Sequence, residues 1–173
     1  MVLGIRTTEI ADADAVARCV TAVARERRFL VTTEGFSAEE TRAYIRGQKA
    51  SGGVHWVALD GDDLVGWCNI ARETFQVSRH MGRLGIGLMP RYRGRGWGRT
   101  LMASALEDAF RHGFERVELE VFASNGAAIA LYRAMGFREE GRMRRACKID
   151  GRYDDVLVFG LLVEEWTATP VRP

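Results

Sequence analysis

With 173 residues, 47% of them hydrophobic and 28% charged, the chain has the composition of one folded domain with its own core, which excludes a disordered or fibrous protein. Lys and Arg number 25 against 23 Asp and Glu, and a net charge of +2 is too small to attract nucleic acid or an anionic membrane, so neither is expected as a partner. Cys19, Cys68 and Cys147 form no CxxC pair, which argues against a disulfide framework or a zinc site; with no secretory leader pattern and no apolar run near the roughly 20 residues of a membrane helix, the cytoplasm is expected.

Leu3 to Thr7 reads as a short strand, and Asp12 and Asp14 then open the alanine-rich run DAVARCVTAVARERR as a helix, early acids suiting the helix dipole. FLVTTEGF has no period and reads as a loop. Ser37 with Glu40 three residues later makes a capping box for a second helix through about Gln48. VHWVALD and LVGWCNIARE flank the turn at Gly61, Asp62 and Asp63 as an antiparallel hairpin, and Arg83 to Met89 is the next strand. Gly85 and Gly87 within it signal either a bulge or tight packing. From Gly98, Leu101, Met102, Ala105, Leu106, Ala109 and Phe110 recur at helical spacing until Gly113. RVELEVFAS alternates as a strand, AAIALYRAM is a short helix ending at Gly136, and two strands close the chain around Asp150 and Gly151. The strand, helix, strand crossover from Arg83 to Phe122 predicts a parallel pair, with ligands at its carboxyl ends.

The chemistry concentrates at the turn of that crossover, LMPRYRGRGWGRT. Gly94, Gly96 and Gly98 let backbone amides approach an anion, the following helix directs its positive end there, and Arg91, Arg93, Arg95 and Arg99 add cationic donors. A plain glycine-rich turn with solvated arginines is the simplest alternative. A dinucleotide turn needs glycine where Arg99 stands, although Glu118 or Glu120 offers a ribose acid; a P-loop needs a GK[ST] ending that is missing.

RGRGWG resembles the Q/R-x-x-G-x-G/A signature of the GCN5-related N-acetyltransferases, the GNAT family, at Arg93, Gly96 and Gly98; VFASNGAAIALYRAMGF resembles the family's N-x-x-A and LYxxxGF segment at Asn125, Tyr132, Gly136 and Phe137. The likeness runs from about Ile5 to Leu162. It implies one GNAT domain over residues 1–173, of α/β (α+β) class, with a mixed, mostly antiparallel twisted sheet of about seven strands flanked by helices. It further implies acetyl transfer from acetyl-CoA to a primary amine, a small molecule or a peptide N-terminus, by direct attack without a metal; a non-catalytic acyl-CoA sensor is the alternative. The expected cofactor-binding residues are Leu88, Met89, Arg93, Gly94, Arg95, Gly96, Trp97, Gly98, Arg99, Asn125 and Tyr132. The Leu88 amide would polarise the thioester, with Pro90 interrupting the strand pairing just beyond, and Tyr132 would protonate the thiolate.

A base acting through water is sought among Glu73, Glu118 and Glu120, with His80 and Glu34 as further groups, although Glu118 and Glu120 also read as one solvated strand face. His55 and His112 read as structural. The acceptor is expected near the loop Phe29 to Phe36 and the closing hairpin, with Glu34 and Tyr153 as its binding residues; a homodimer is the assembly to test.

Overall fold

The computed structural model describes residues 3–167, so residues 1–2 and 168–173 of the expected 1–173 span lie outside the description. Seven strands form one sheet in the order β1-β2-β3-β4-β5-β7-β6: β1 (Gly4–Thr7), β2 (Val54–Asp60), β3 (Asp63–Arg72), β4 (Met81–Leu88), β5 (Arg116–Phe122), β6 (Arg138–Ile149) and β7 (Arg152–Leu162). All neighbours are antiparallel except β4 and β5, the pair joined by the predicted crossover.

Four helices cover the two faces: α1 (Ala13–Ala24), α2 (Ala38–Ser51), α3 (Trp97–Arg111) and α4 (Gly126–Ala134). On one face Val16, Val20 and Val23 of α1 and Ile45 of α2 pack with Val57 and Trp67. On the other, Leu101, Met102, Ala105 and Leu106 of α3, with Ile129 and Tyr132 of α4, pack with Leu84, Leu88, Val117 and Leu119. Burial of these alternate strand residues against opposite helix layers is what fixes the register. The capping box forms as read: the Glu40 amide donates to Ser37 Oγ and the Ser37 amide to Glu40 Oε2, at 3.2 and 2.8 Å.

The end of the first helix differs from the sequence reading. The first helix stops at Ala24, four residues before the end of the helix-favouring run. Glu26 and Arg27 are drawn into ion pairs with Arg93 and Asp150, and Arg27 adopts φ +53°; distant partners outweigh local propensity there. In β4 the register against β3 is regular, so Gly85 and Gly87 mark packing and not a bulge. A Cβ at Gly87 would lie inside the Trp67 ring, and one at Gly85 would press Asn69 Oδ1 at 3.1 Å.

Candidate active site

The parallel pairing of β4 with β5 runs only through Met81, Gly82 and Arg83, opposite Arg116, Val117 and Glu118. Beyond it β4 stays bound to β3 and β5 to β7, so the two strands part and a wedge opens toward their carboxyl ends. The direction of the β4 peptide groups follows from three bonds. Met89 N–H donates to the Val65 carbonyl (2.9 Å) and the Met81 carbonyl accepts from Glu73 N–H (3.1 Å), whereas the His80 carbonyl accepts from Glu115 N–H (2.8 Å). Odd-numbered residues thus face β3 and even-numbered ones face β5. With the strand period of two, the Leu84 amide is taken up by the last parallel pair, Arg83 with Glu118, and the amides of Ile86 and Leu88 open into the wedge. Leu88 was legible from sequence. Ile86 was not, although counting back two residues from Leu88 points to it. The Met89 amide is already engaged with Val65.

Pro90 ends the strand and starts a single 3-10 turn, after which Gly94 and Gly96 take φ +70° and +85°, conformations that favour glycine. Gly96 is the N-cap of α3. Among the described residues the amides of Gly94, Arg95, Gly96, Trp97 and Gly98 have no hydrogen-bond acceptor, and the first intrahelical bonds belong to Arg99 and Thr100. Five successive free donors at a helix N-terminus constitute an anion cradle of the kind that takes phosphate. Gly98 has a packing role as well, since a Cβ there would touch Leu131 and Leu88 at 3.4 and 3.6 Å.

The arginines of the loop divide their duties. Arg93 donates through Nε to the Leu88 carbonyl (2.8 Å) and grips Glu26 with both terminal nitrogens at 2.8 and 2.5 Å, tying the cradle to the end of α1. Arg99 donates to the Ala134 carbonyl at the end of α4 (2.9 Å). Arg91 lies over the Tyr92 ring, and Arg95 makes no contact with protein groups among the described residues.

Asn125 caps α4, its Oδ1 accepting from Ala128 N–H at 3.2 Å, which leaves its amide nitrogen unpaired among the described residues. Tyr132, about two turns further along, is buried against Phe137 and Phe159. Burial drives its phenol further up, assisted by the Cys68 thiol. Cys68, the thiol that acts on the Tyr132 phenol, pairs with Ile86 across the sheet. The Cys68 thiol itself is pushed up strongly by complete burial and stays protonated.

On the opposite face, Arg83 gathers the carboxylates considered as bases: Glu118 at 2.9 Å, Glu120 at 3.2 Å and Glu73 at 3.6 Å. Glu120 lies past the last parallel pair, where the strands part; Glu73 lies just beyond β3, at the other end of β4. His80 stands in the turn before β4. A cleft of about 580 Å³ extends from Arg83, Leu84 and Gly85 under the α1–α2 loop. Leu30, Val31, Thr32 and Phe36 of the expected acceptor loop line it, but the exposed Glu34 does not. Tyr153 is also outside the cleft, stacked between Arg145 and Lys148 on the hairpin. That hairpin meets the α1–α2 loop instead through Arg27, which holds both oxygens of Asp150 at 2.9 and 2.6 Å.

The wedge between the parallel strands lies between the free amides before α3 and the cleft of about 580 Å³. The acetyltransferase (GNAT) family model matches residues 21–137. The chain belongs to this family. It is thereby an acetyl-CoA-dependent acetyltransferase, and its fold is that of solved relatives. The GNAT-family acetyltransferase of Streptococcus pneumoniae superimposes with a TM-score of 0.88 at 30% identity, covering 94% of this chain and all of that one. The prophage-derived N-acetyltransferase YokL of Bacillus subtilis is 28% identical over 134 residues, 75% of this acetyltransferase and 73% of YokL. The N-alpha-acetyltransferase RimI of Mycobacterium tuberculosis is 41% identical over 102 residues, 56% of this chain and 60% of the RimI length. Among the described residues no helix is long and apolar enough to cross a membrane.

Proposed function

We propose that this protein transfers the acetyl group of acetyl-CoA to a primary amine by direct attack, within one domain in the cytoplasm, as a homodimer. The observation that supports the reading is the continuity of the free amides of Gly94 to Gly98 with the inward amides of Ile86 and Leu88. The first set suits a pyrophosphate, and Arg91, Arg95 and the unpaired Asn125 amide nitrogen add donors around it. The second set suits a thioester oxygen: a donor aimed where negative charge develops is worth about 3–4 kcal/mol of barrier. Arg93 acts as a positioning residue that sets the Leu88 peptide.

Acetyl-CoA supplies an activated acyl carbon and a thiolate leaving group. A bond forms from the acceptor nitrogen to that carbon and the carbon–sulfur bond breaks. Tyr132, kept neutral by burial, gives its hydroxyl proton to the sulfur, and the amine proton passes through water to Glu120, which Arg83 holds in place. The protonated Cys68 thiol supports direct transfer over an acyl-cysteine route. Relatives named for acetylating peptide N-termini, such as RimI, and for spermidine, in Vibrio cholerae, bring both kinds of amine into consideration.

The test is thiol release from acetyl-CoA with a panel of amines, with mass spectrometry of the products. Amine-dependent release with N-acetylated product is expected; cofactor binding without amine-dependent release would identify a sensor instead. Light scattering that gives a monomer would remove the homodimer from the reading.

A further inference from the structure

The cleft that leads to the wedge carries information about its acceptor. Its walls are hydrocarbon: Val16 and Val20 of α1, Leu30 and Phe36 of the loop, and Trp67 and Ala71 of β3. Two charged residues border it, Glu40 and Arg83. Glu40 takes the Ser37 hydroxyl at 2.7 Å and amide at 2.8 Å on Oε2 alone and has no cationic partner among the described residues. Arg83 faces the three carboxylates Glu73, Glu118 and Glu120. No free cation is available to neutralise a carboxylate on an entering molecule, and an unpaired charge in an apolar site is costly.

One wall of the cleft is polar but uncharged. Asn69 Nδ2 donates to the Tyr44 hydroxyl oxygen at 2.9 Å, leaving Tyr44 O–H to donate and Asn69 Oδ1 to accept. His55 stands beside Tyr44, ring centroids 6.5 Å apart, with one nitrogen engaged by Thr8 Oγ1 at 2.6 Å. Its second ring nitrogen has no partner among the described residues. These groups would pair with a hydroxyl or amide.

We infer that the acceptor is a small primary amine on a neutral, mainly hydrocarbon body, such as an arylalkylamine, with at most one uncharged polar group. The amine lies beside Arg83 and Glu120, where the strands part, and the body fills the cleft between the hydrocarbon walls of α1, the loop and β3. A volume of about 580 Å³ accommodates a phenylethyl group with room to spare. An amino acid would bring a carboxylate that no free cation meets, and a polyamine such as spermidine two further ammonium groups of which Glu40 can meet one. A peptide would need a path out past the α1–α2 loop, which the Arg27–Asp150 pair ties to the β6–β7 turn.

The inference rests on the acetyl-transfer reading for the direction of approach, and its test is arranged to separate the two. Isothermal titration of the protein–CoA complex with tyramine, phenylethylamine, spermidine, glutamate and an alanine-initiated peptide reads acceptor binding without turnover; thiol release reads turnover with the same set. The aromatic amines should bind, and turn over by kcat/KM, at least ten-fold better than the rest. Ala71→Leu, which extends a side chain into the cleft, should weaken tyramine binding at least ten-fold while acetyl-CoA affinity and melting temperature stay as in the parent protein. Tighter binding of spermidine, glutamate or the peptide, or tyramine affinity indifferent to Ala71→Leu, overturns the inference. Aromatic binding with no thiol release from any amine sustains the inference and removes the acetyl-transfer reading.

Discussion

His55 gives the protein a specific acid sensitivity. It sits 7% exposed at the inner end of the cleft, and burial, aided by Lys49 and opposed by Asp12, lowers its ring to about 4 from 6.5. The folded state therefore holds His55 neutral while the unfolded chain protonates it below pH 6.5, so unfolding takes up a proton in that range. Its contribution to stability is complete above pH 6.5 and is lost as pH falls toward 4. At 1.36 kcal/mol per pH unit the drop is worth about 3 kcal/mol, or roughly 6–12 °C in melting temperature for a domain of this size. The assay is thermal unfolding of the parent protein and His55→Gln at half-unit steps from pH 8 to 4. Asp12, Glu140 and Asp155, all held below the usual carboxylate range by arginines or backbone donors, are common to both proteins and act at lower pH. The variant should be less stable at pH 8, where Thr8 has lost its partner, and should lose the slope between pH 6.5 and 4. A stability difference between the two proteins that does not change with pH would refute the reasoning.

Tyr132→Phe keeps the contacts with Phe137 and Phe159 but removes the hydroxyl; kcat should fall about 100-fold with the acetyl-CoA dissociation constant changed less than about two-fold, and an unaltered pH–rate profile would make the residue structural. Gly96→Asp puts a side chain at φ +85° and a negative charge beside the cradle: the fold should survive a cost of about 1 kcal/mol, while calorimetry should show acetyl-CoA binding weakened by at least about 100-fold. Arg93→Gln leaves Glu26 and the Leu88 carbonyl without their donor; a loss of about 1–3 kcal/mol is expected in denaturant unfolding, and a loss under 0.5 kcal/mol, of the order of an exposed pair, would contradict the clamp.

The elements were legible where periodicity and capping act locally. Leu101 to Phe110 and Ser37 with Glu40 specify α3 and the start of α2 almost without regard to the rest of the chain. The cradle was legible for the same reason, because positive φ at Gly94 and Gly96 is a demand a sequence can display. What escaped depends on partners far along the chain. Arg93, one of four arginines in a charge run, acquires its duty from Glu26, 67 residues earlier, which itself sits in a run that reads as helix. Of the loop Phe29 to Phe36, the apolar Leu30 and Phe36 line the cleft, whereas its acidic residue Glu34, the obvious feature for binding an amine, does not. Strand alternation showed that Glu118 and Glu120 share a face, but only pairing across the sheet brings Arg83 between them.

The central claim is that the amides of Gly94 to Gly98 hold the pyrophosphate of acetyl-CoA while those of Ile86 and Leu88 face its thioester. Amide chemical shifts of the 15N-labelled protein, titrated with CoA and then with acetyl-CoA, read both halves at once. Both ligands should shift Gly94 to Gly98 alike, and the difference between the two ligands should concentrate at Ile86 and Leu88. Shifts that leave Gly94 to Gly98 unmoved, or an acetyl-dependent difference confined to residues away from β4, would contradict the account.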